Sequence, residues 1–225
     1  MASLDEAHRA IKEHLTAIGF GEDAINRLLL DDLPYLTTWV LDPDSTQELA
    51  EAQAVIAFAF GFGPSKPHVP FPPSQYHPCL HHPGKTNDAI ADFILPFTKR
   101  GLSIFAQWEI AESLAERDVV VPGHQVARPG TKYLGTSGVV KQFLNNGLAE
   151  FQSVMLVAHR HHMFRCREIT KRVFQQEGRN ISIVIPPDTP DVYDTASVQW
   201  WTRSLKDWVT YEVGNRFHNR FQGNM

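Results

Sequence analysis

Between residues 159 and 167 the chain reads His-Arg-His-His-Met-Phe-Arg-Cys-Arg, three imidazoles and three guanidinium groups in nine residues. The run follows an apolar stretch, 153–158, and precedes a helical pattern, so it stands where a strand hands over to a helix. With the helix starting near His161, His162 and Arg165 fall three apart on one face, and the first-turn N–H groups point the same way. His159, Arg160, His162 and Arg165 then form a site for an anionic group. Glu109 follows a second apolar run, 102–106, in Gln107-Trp108-Glu109, with Glu112 one turn on. A carboxylate there can grip ribose hydroxyls, act as a general base, or favour a helix N-terminus through the macrodipole. Glu109 and His162 are the candidate catalytic pair, a base and an acid whose pKa values their surroundings set apart.

A third apolar run, 54–60, ends in Gly61-Phe-Gly63, whose glycines let backbone N–H groups approach a ligand closely. The third glycine of a dinucleotide fingerprint is Lys66 and no helix follows at once, which excludes NAD and FAD. Gly84-Lys85-Thr86 resembles the end of a phosphate-binding P-loop, but Cys79 stands in place of the leading glycine and no strand precedes it. His77, Cys79, His81 and His82 lie too close together for the usual zinc spacings, so no metal is expected. Cys166 between two arginines reads as a nucleophile or as a small buried apolar residue. No Gly-x-Ser-x-Gly elbow is present.

The elements that must position these groups alternate. Five short apolar runs, 54–60, 102–106, 119–121, 153–158 and 181–185, are separated by helical patterns at 88–100, 108–117, 136–147 and 162–176, and a tryptophan-rich helix closes the chain from 197 to about 220. Asn87 is the expected cap of the first of these helices and Pro96 its expected kink. Such alternation predicts an α/β fold, an open, mostly parallel, Rossmann-like sheet with helices on both faces and 54–60 as its central strand. Ligands of such sheets bind beyond the carboxyl ends of the strands, where Gly61, Gly63, Glu109 and the His/Arg run all fall. Residues 1–53 read as an N-terminal helical extension and 54–225 as the α/β domain. Residues 61–85 hold seven of the fifteen prolines and four of the eleven histidines, a loop that excludes helix and inner strand. The stripe Trp200, Trp201, Leu205, Trp208 and Val209 reads as core or as a homodimer contact.

Composition narrows the partners. A formal net charge of -4 argues against nucleic acid. Two cysteines and an N-terminus lacking a basic-then-apolar leader point to a reducing, cytoplasmic setting, and no apolar run reaches the ~20 residues of a membrane span.

Four stretches carry a family resemblance: the first strand ending in Gly61-Phe-Gly63, Gln107-Trp108-Glu109 after the second, Tyr133-Leu-Gly-Thr136-Ser137 at a helix start, and Val157-Ala-His-Arg-His-His162-Met-Phe-Arg165-Cys166. Together, over roughly residues 54–220, they resemble the YdcF/SanA-like family, α/β proteins of largely unassigned function. The resemblance maps the family's acidic position onto Glu109, its strand-end His and Arg onto His162 and Arg165, and its threonine onto Thr136, where Ser137-Gly138 replaces the usual Glu-Asn. It implies a Rossmann-like fold with a polar pocket at the strand ends and names no reaction. The expected function is an enzyme or binding protein for a small anionic or nucleotide-like ligand, with S-adenosylmethionine or a phosphate-bearing substrate as candidates. The alternative is a noncatalytic interaction module with a vestigial pocket.

Overall fold

A computed structural model describes residues 4–17, 19–27, 49–64, 81–121, 126–127 and 134–221. Residues 28–48 of the expected N-terminal extension, most of the proline- and histidine-rich loop, and Tyr133 lie outside the described residues. The chain divides into two compact units, Met1–Thr38 with Glu212–Met225, and Trp39–Tyr211. In the first, α1 (Leu4–Ala17) ends at Gly19, whose φ of 94° is the left-handed conformation that glycine adopts at no steric cost, and α2 (Glu22–Arg27) follows. Glu212 and Arg216, one turn apart and both buried, form a 3.0 Å ion pair.

The second unit holds a five-stranded parallel sheet of β1 (Ala54–Ala57), β2 (Ser103–Gln107), β3 (Val126–Ala127), β4 (Ser153–Val157) and β5 (Ser182–Val184), in the order β3-β2-β1-β4-β5. β1 is central, pairing Val55 with Ile104 on one side and with Met155 on the other. Its alternate residues serve opposite faces. Val55 and Ala57 pack with α3 (Lys85–Lys99) through Ile90 and Ile94 and with α4 (Trp108–Ala115) through Ile110 and Leu114. Ile56 and Phe58 pack with α5 (Thr136–Asn145) through Val140 and Phe143 and with α6 (Met163–Gln176) through Cys166, Val173 and Phe174. Burying each such large apolar side chain stabilises the fold by roughly 1.5–3 kcal/mol. The fold is thus the expected α/β sheet with helices on both faces, and no helix among the described residues is long and apolar enough to cross a membrane.

Three elements differ from expectation. Residues 119–121 are not a strand. Asp118 turns back at φ 59°, Val119 N–H donates to Leu114 O to finish α4, and Val120 is 82% exposed, so the third strand forms only at Val126–Ala127. The helix expected from Asp88 begins earlier, at Lys85 with Gly84 as its N-cap, and it continues past Pro96 to Lys99. The last helix does not start at Ser197. Trp200–Thr202 is a 3-10 turn and α7 (Leu205–Phe221) begins after it, where Ser204 Oγ accepts from Asp207 N–H as an N-cap and donates to Asp207 Oδ2. Trp200 and Trp201 therefore leave the helical stripe on which Trp208 lies.

Candidate functional site

Two crossovers lead from β1 through β2 to β3 on one side, and the chain then returns to β4 on the other side of β1. The strand order reverses between β1 and β4, the switch point at which open sheets form a crevice at their carboxyl ends. Phe60 leaves β1 there and His159 leaves β4, and their rings stack at 4.2 Å with 10° between planes. Tyr193 meets His159 edge-on at 4.5 Å and Trp208 meets Phe60 edge-on at 4.7 Å. The Arg165 guanidinium lies over Trp208 at 4.9 Å and its Nη2 is 3.1 Å from His162 Nε2. Because a guanidinium only donates, Nε2 of His162 is the acceptor in this contact. The Trp208 indole N–H in turn donates to His161 O at 3.1 Å. His162 and Arg165 do share one face, as their spacing predicts.

This cluster is packed against itself. His159 is fully buried, and burial, aided by neighbouring His161 and opposed by the Asp191 backbone, lowers its pKa to about 3. A ring that is neutral at pH 7 brings no charge to an anion, so the expected grip by His159 is corrected on that point. The Arg160 side chain is exposed, while its main-chain N–H donates to Pro190 O at 2.7 Å.

Glu109 stands elsewhere. It lies on α4, on the α3/α4 face of the sheet, while His162 leads into α6 on the opposite face. Between them runs the β1 exit, with Phe60 turned to the histidine cluster and Phe62 to Trp108 and His81. α4 and α6 follow strands on either side of β1 and cover different faces, so Glu109 and His162 approach the strand ends from opposite sides of the sheet. Glu109 is 0% exposed, and neither carboxyl oxygen has a hydrogen-bond partner among the described residues. Burial raises its pKa to about 8, opposed by its own backbone N–H and reinforced by Glu112. The group therefore carries a proton at pH 7. One turn along α4, Ser113 Oγ donates to Asp88, and one turn further Arg117 Nε donates to Asp92 at 2.6 Å. The same one-turn step carried back to Glu109 falls at Gly84, the head of α3.

The glycines have a structural reason to be glycine. Gly61, at φ 77°, lies where a Cβ would run into the hydroxyls of Thr202 and Ser197, and a Cβ on Gly63 would stand 3.2 Å from that of His82. Thr136 opens α5 on the α5/α6 face and joins neither group. Among the described residues no cluster of three or more His, Cys, Asp or Glu is placed to hold a metal ion, and His77 and Cys79 lie outside them.

No family model, curated protein or solved structure matches the chain. Its role must be read from the two clusters themselves. Sequence reasoning makes Asn87 the cap of α3, a place that Gly84 holds, and misses that Asn87 fixes the β1 exit. Asn87 is fully buried; its Oδ1 accepts from Phe60 N–H at 3.0 Å and its amide donates to Gly61 O at 2.8 Å and Pro83 O at 2.7 Å. Gln107 Oε1 completes the attachment by accepting from Ala59 N–H at 2.8 Å. A lone asparagine in a helical first turn carries no sequence signal of this kind. Replacing Asn87 by alanine strands three buried main-chain groups and is expected to destabilise the protein by about 3 kcal/mol in urea unfolding. Asn87→Ser should recover part of that loss.

Proposed function

We propose that this chain binds a small nucleotide-like molecule at the carboxyl ends of β1 and β2, with the Glu109 carboxyl as its hydroxyl-gripping anchor. The observation that carries the reading is a buried, proton-bearing glutamate without a partner among the described residues, two positions beyond β2 in a 3-2-1-4-5 parallel sheet. Such a group is costly to keep unless something uses it, and the end of the strand beside the central one is where open sheets hold ribose hydroxyls. Nucleosides, S-adenosylmethionine and phosphate-bearing nucleotides are the candidates to screen. Membership of the YdcF/SanA-like family and a cytoplasmic setting belong to the same reading. Since Glu109 and His162 occupy different faces, the reading is binding, without an acid–base pair.

The test is a thermal-shift screen at pH 7 against nucleosides, nucleotides, S-adenosylmethionine and sugar phosphates. A ligand at a hundred times its Kd stabilises by about 2.7 kcal/mol, or roughly 5–10 °C in a chain of this size. The shift should vanish in Glu109→Gln, which keeps the shape and removes the ionisable group. Absence of any shift, or a shift of equal size in both proteins, counts against the proposal.

A second reading, an interaction module or homodimer, is favoured by one observation. Val192, Val198, Trp200 and Leu205 are each 44–46% exposed within fourteen residues of chain. Sedimentation of Trp200→Asp beside the wild type distinguishes the two, because the ligand-binding reading expects no change.

A further inference from the structure

The residues that follow β5 cross the carboxyl end of the sheet. Arg160 N–H holds Pro190 O at 2.7 Å, Thr86 Oγ1 donates to Val192 O at 2.9 Å, and Phe62 O accepts from Val198 N–H at 2.9 Å and Ser197 Oγ at 3.2 Å. Residues 190–198 therefore run from the end of β4, past the head of α3, to the β1 exit. In the middle of this strap stands Asp194, 5% exposed. Its Oδ1 accepts from Ala196 N–H at 2.9 Å, and its Oδ2 accepts from the N–H of Lys85, the first residue of α3, at 3.1 Å. Gly84, at φ 84°, leaves the room that this needs, since a Cβ there would stand 2.7 Å from Oδ2.

In a sheet of this order, the helix after the central strand turns its free N–H groups and positive dipole end towards the anionic part of a ligand. Here the chain's own carboxylate already accepts from the first of those N–H groups. A second carboxyl, that of Glu109, is fully buried one turn before Ser113, and the register of the Ser113–Asp88 and Arg117–Asp92 bonds, carried back one turn, pairs that turn of α4 with Gly84. We infer that Asp194 is a specificity-determining residue: it occupies the anion position at the head of α3 and restricts the ligand there to uncharged, hydroxyl-bearing chemistry, a nucleoside or a comparable polyol. The ligand class rests on the reading of Glu109 given above; the occupancy of the anion position by Asp194 does not. A phosphate brought to this end of the sheet would have to displace Asp194 from Lys85 N–H and meet its charge at close range.

Asp194→Ala removes the carboxylate, and formate is the anion that matches the group removed. Asp194→Ser, whose hydroxyl keeps a local acceptor, serves where the alanine variant fails to fold. At pH 7 and constant ionic strength, both variants should melt roughly 2–8 °C below the wild type. Millimolar formate should restore at least half of that loss saturably, with chloride inert, while the wild type responds to neither formate nor inorganic phosphate. Variants that do not respond to formate, or a wild type that phosphate stabilises saturably and as strongly as it does the variants, would overturn the inference. The wild-type phosphate titration stands without either variant. A negative nucleoside screen would remove the Glu109 reading and leave these titrations unaffected.

Discussion

Replacing Glu109 by glutamine is expected to raise stability, and to raise it more as the pH rises. The folded-state pKa is about 8 against an ordinary value of 4.5. Between these values the unfolded chain gives up its proton while the folded one keeps it, so folding grows less favourable as pH rises. The penalty is absent below pH 4.5, reaches about 3 kcal/mol at pH 7, and levels off near 5 kcal/mol above pH 8. Glutamine has nearly the same shape and no proton to lose. Urea unfolding of Glu109→Gln and wild type should therefore agree near pH 4.5 and separate by about 3 kcal/mol at pH 7. Equal stability at pH 8 would mean that the carboxyl is solvated or paired. A buried carboxyl that destabilises its own fold, with no hydrogen-bond partner for its oxygens among the described residues, is a signature of function, because stability and activity compete at binding sites.

The second large effect is on the acid side. His159 has its pKa lowered to about 3 from 6.5, so below pH 6.5 the unfolded chain takes up a proton that the buried ring refuses. Stability contributed by the neutral ring is complete above pH 6.5, falls by about 3 kcal/mol at pH 4 and levels off at a loss of about 5 kcal/mol below pH 3. His159→Phe keeps a ring against Phe60 and removes the titration, at the cost of the Nδ1 acceptor that His161 N–H uses at 3.3 Å. The variant should be slightly weaker than wild type at pH 7 and stronger at pH 4. Because the Glu109 and His159 effects oppose each other between pH 4.5 and 6.5, wild-type contributions from this pair cancel there. Each single variant should expose the slope of the other. A His159→Phe profile that parallels the wild type from pH 7 to pH 4 would show that the ring takes up its proton in the folded state.

These residues mark where sequence reading succeeds and where it stops. Residues 54–60 are apolar on both alternations, and only a strand covered on both faces accommodates that, which made β1 legible as the sheet's centre. The Val119-Val-Val121 run has the same composition and a different fate, because Asp118 reverses the chain before it and Val120 points into solvent. Spacing placed His162 and Arg165 on one face. Spacing does not say which face of a sheet the helix covers, and so it could not separate Glu109 from His162. Nor could it show that His159 loses its charge, since that depends on Phe60 and Tyr193 packing against the ring from other parts of the chain. Asp194 was invisible for a related reason: it acts on Lys85, more than a hundred residues away, from a loop with no periodicity. Gly61 was read as an opening for ligand, whereas the hydroxyls of Ser197 and Thr202 fill the space beside it.

The most direct measurement is the carboxyl titration of Glu109 itself, followed by carbon-13 NMR from pH 4 to 10, with Glu109→Gln identifying the resonance. A midpoint near pH 8 is the expected result, moving downwards when a hydroxyl-bearing ligand donates to the ionised group. A midpoint near 4.5 would contradict the buried, proton-bearing anchor and, with it, the binding site at the ends of β1 and β2.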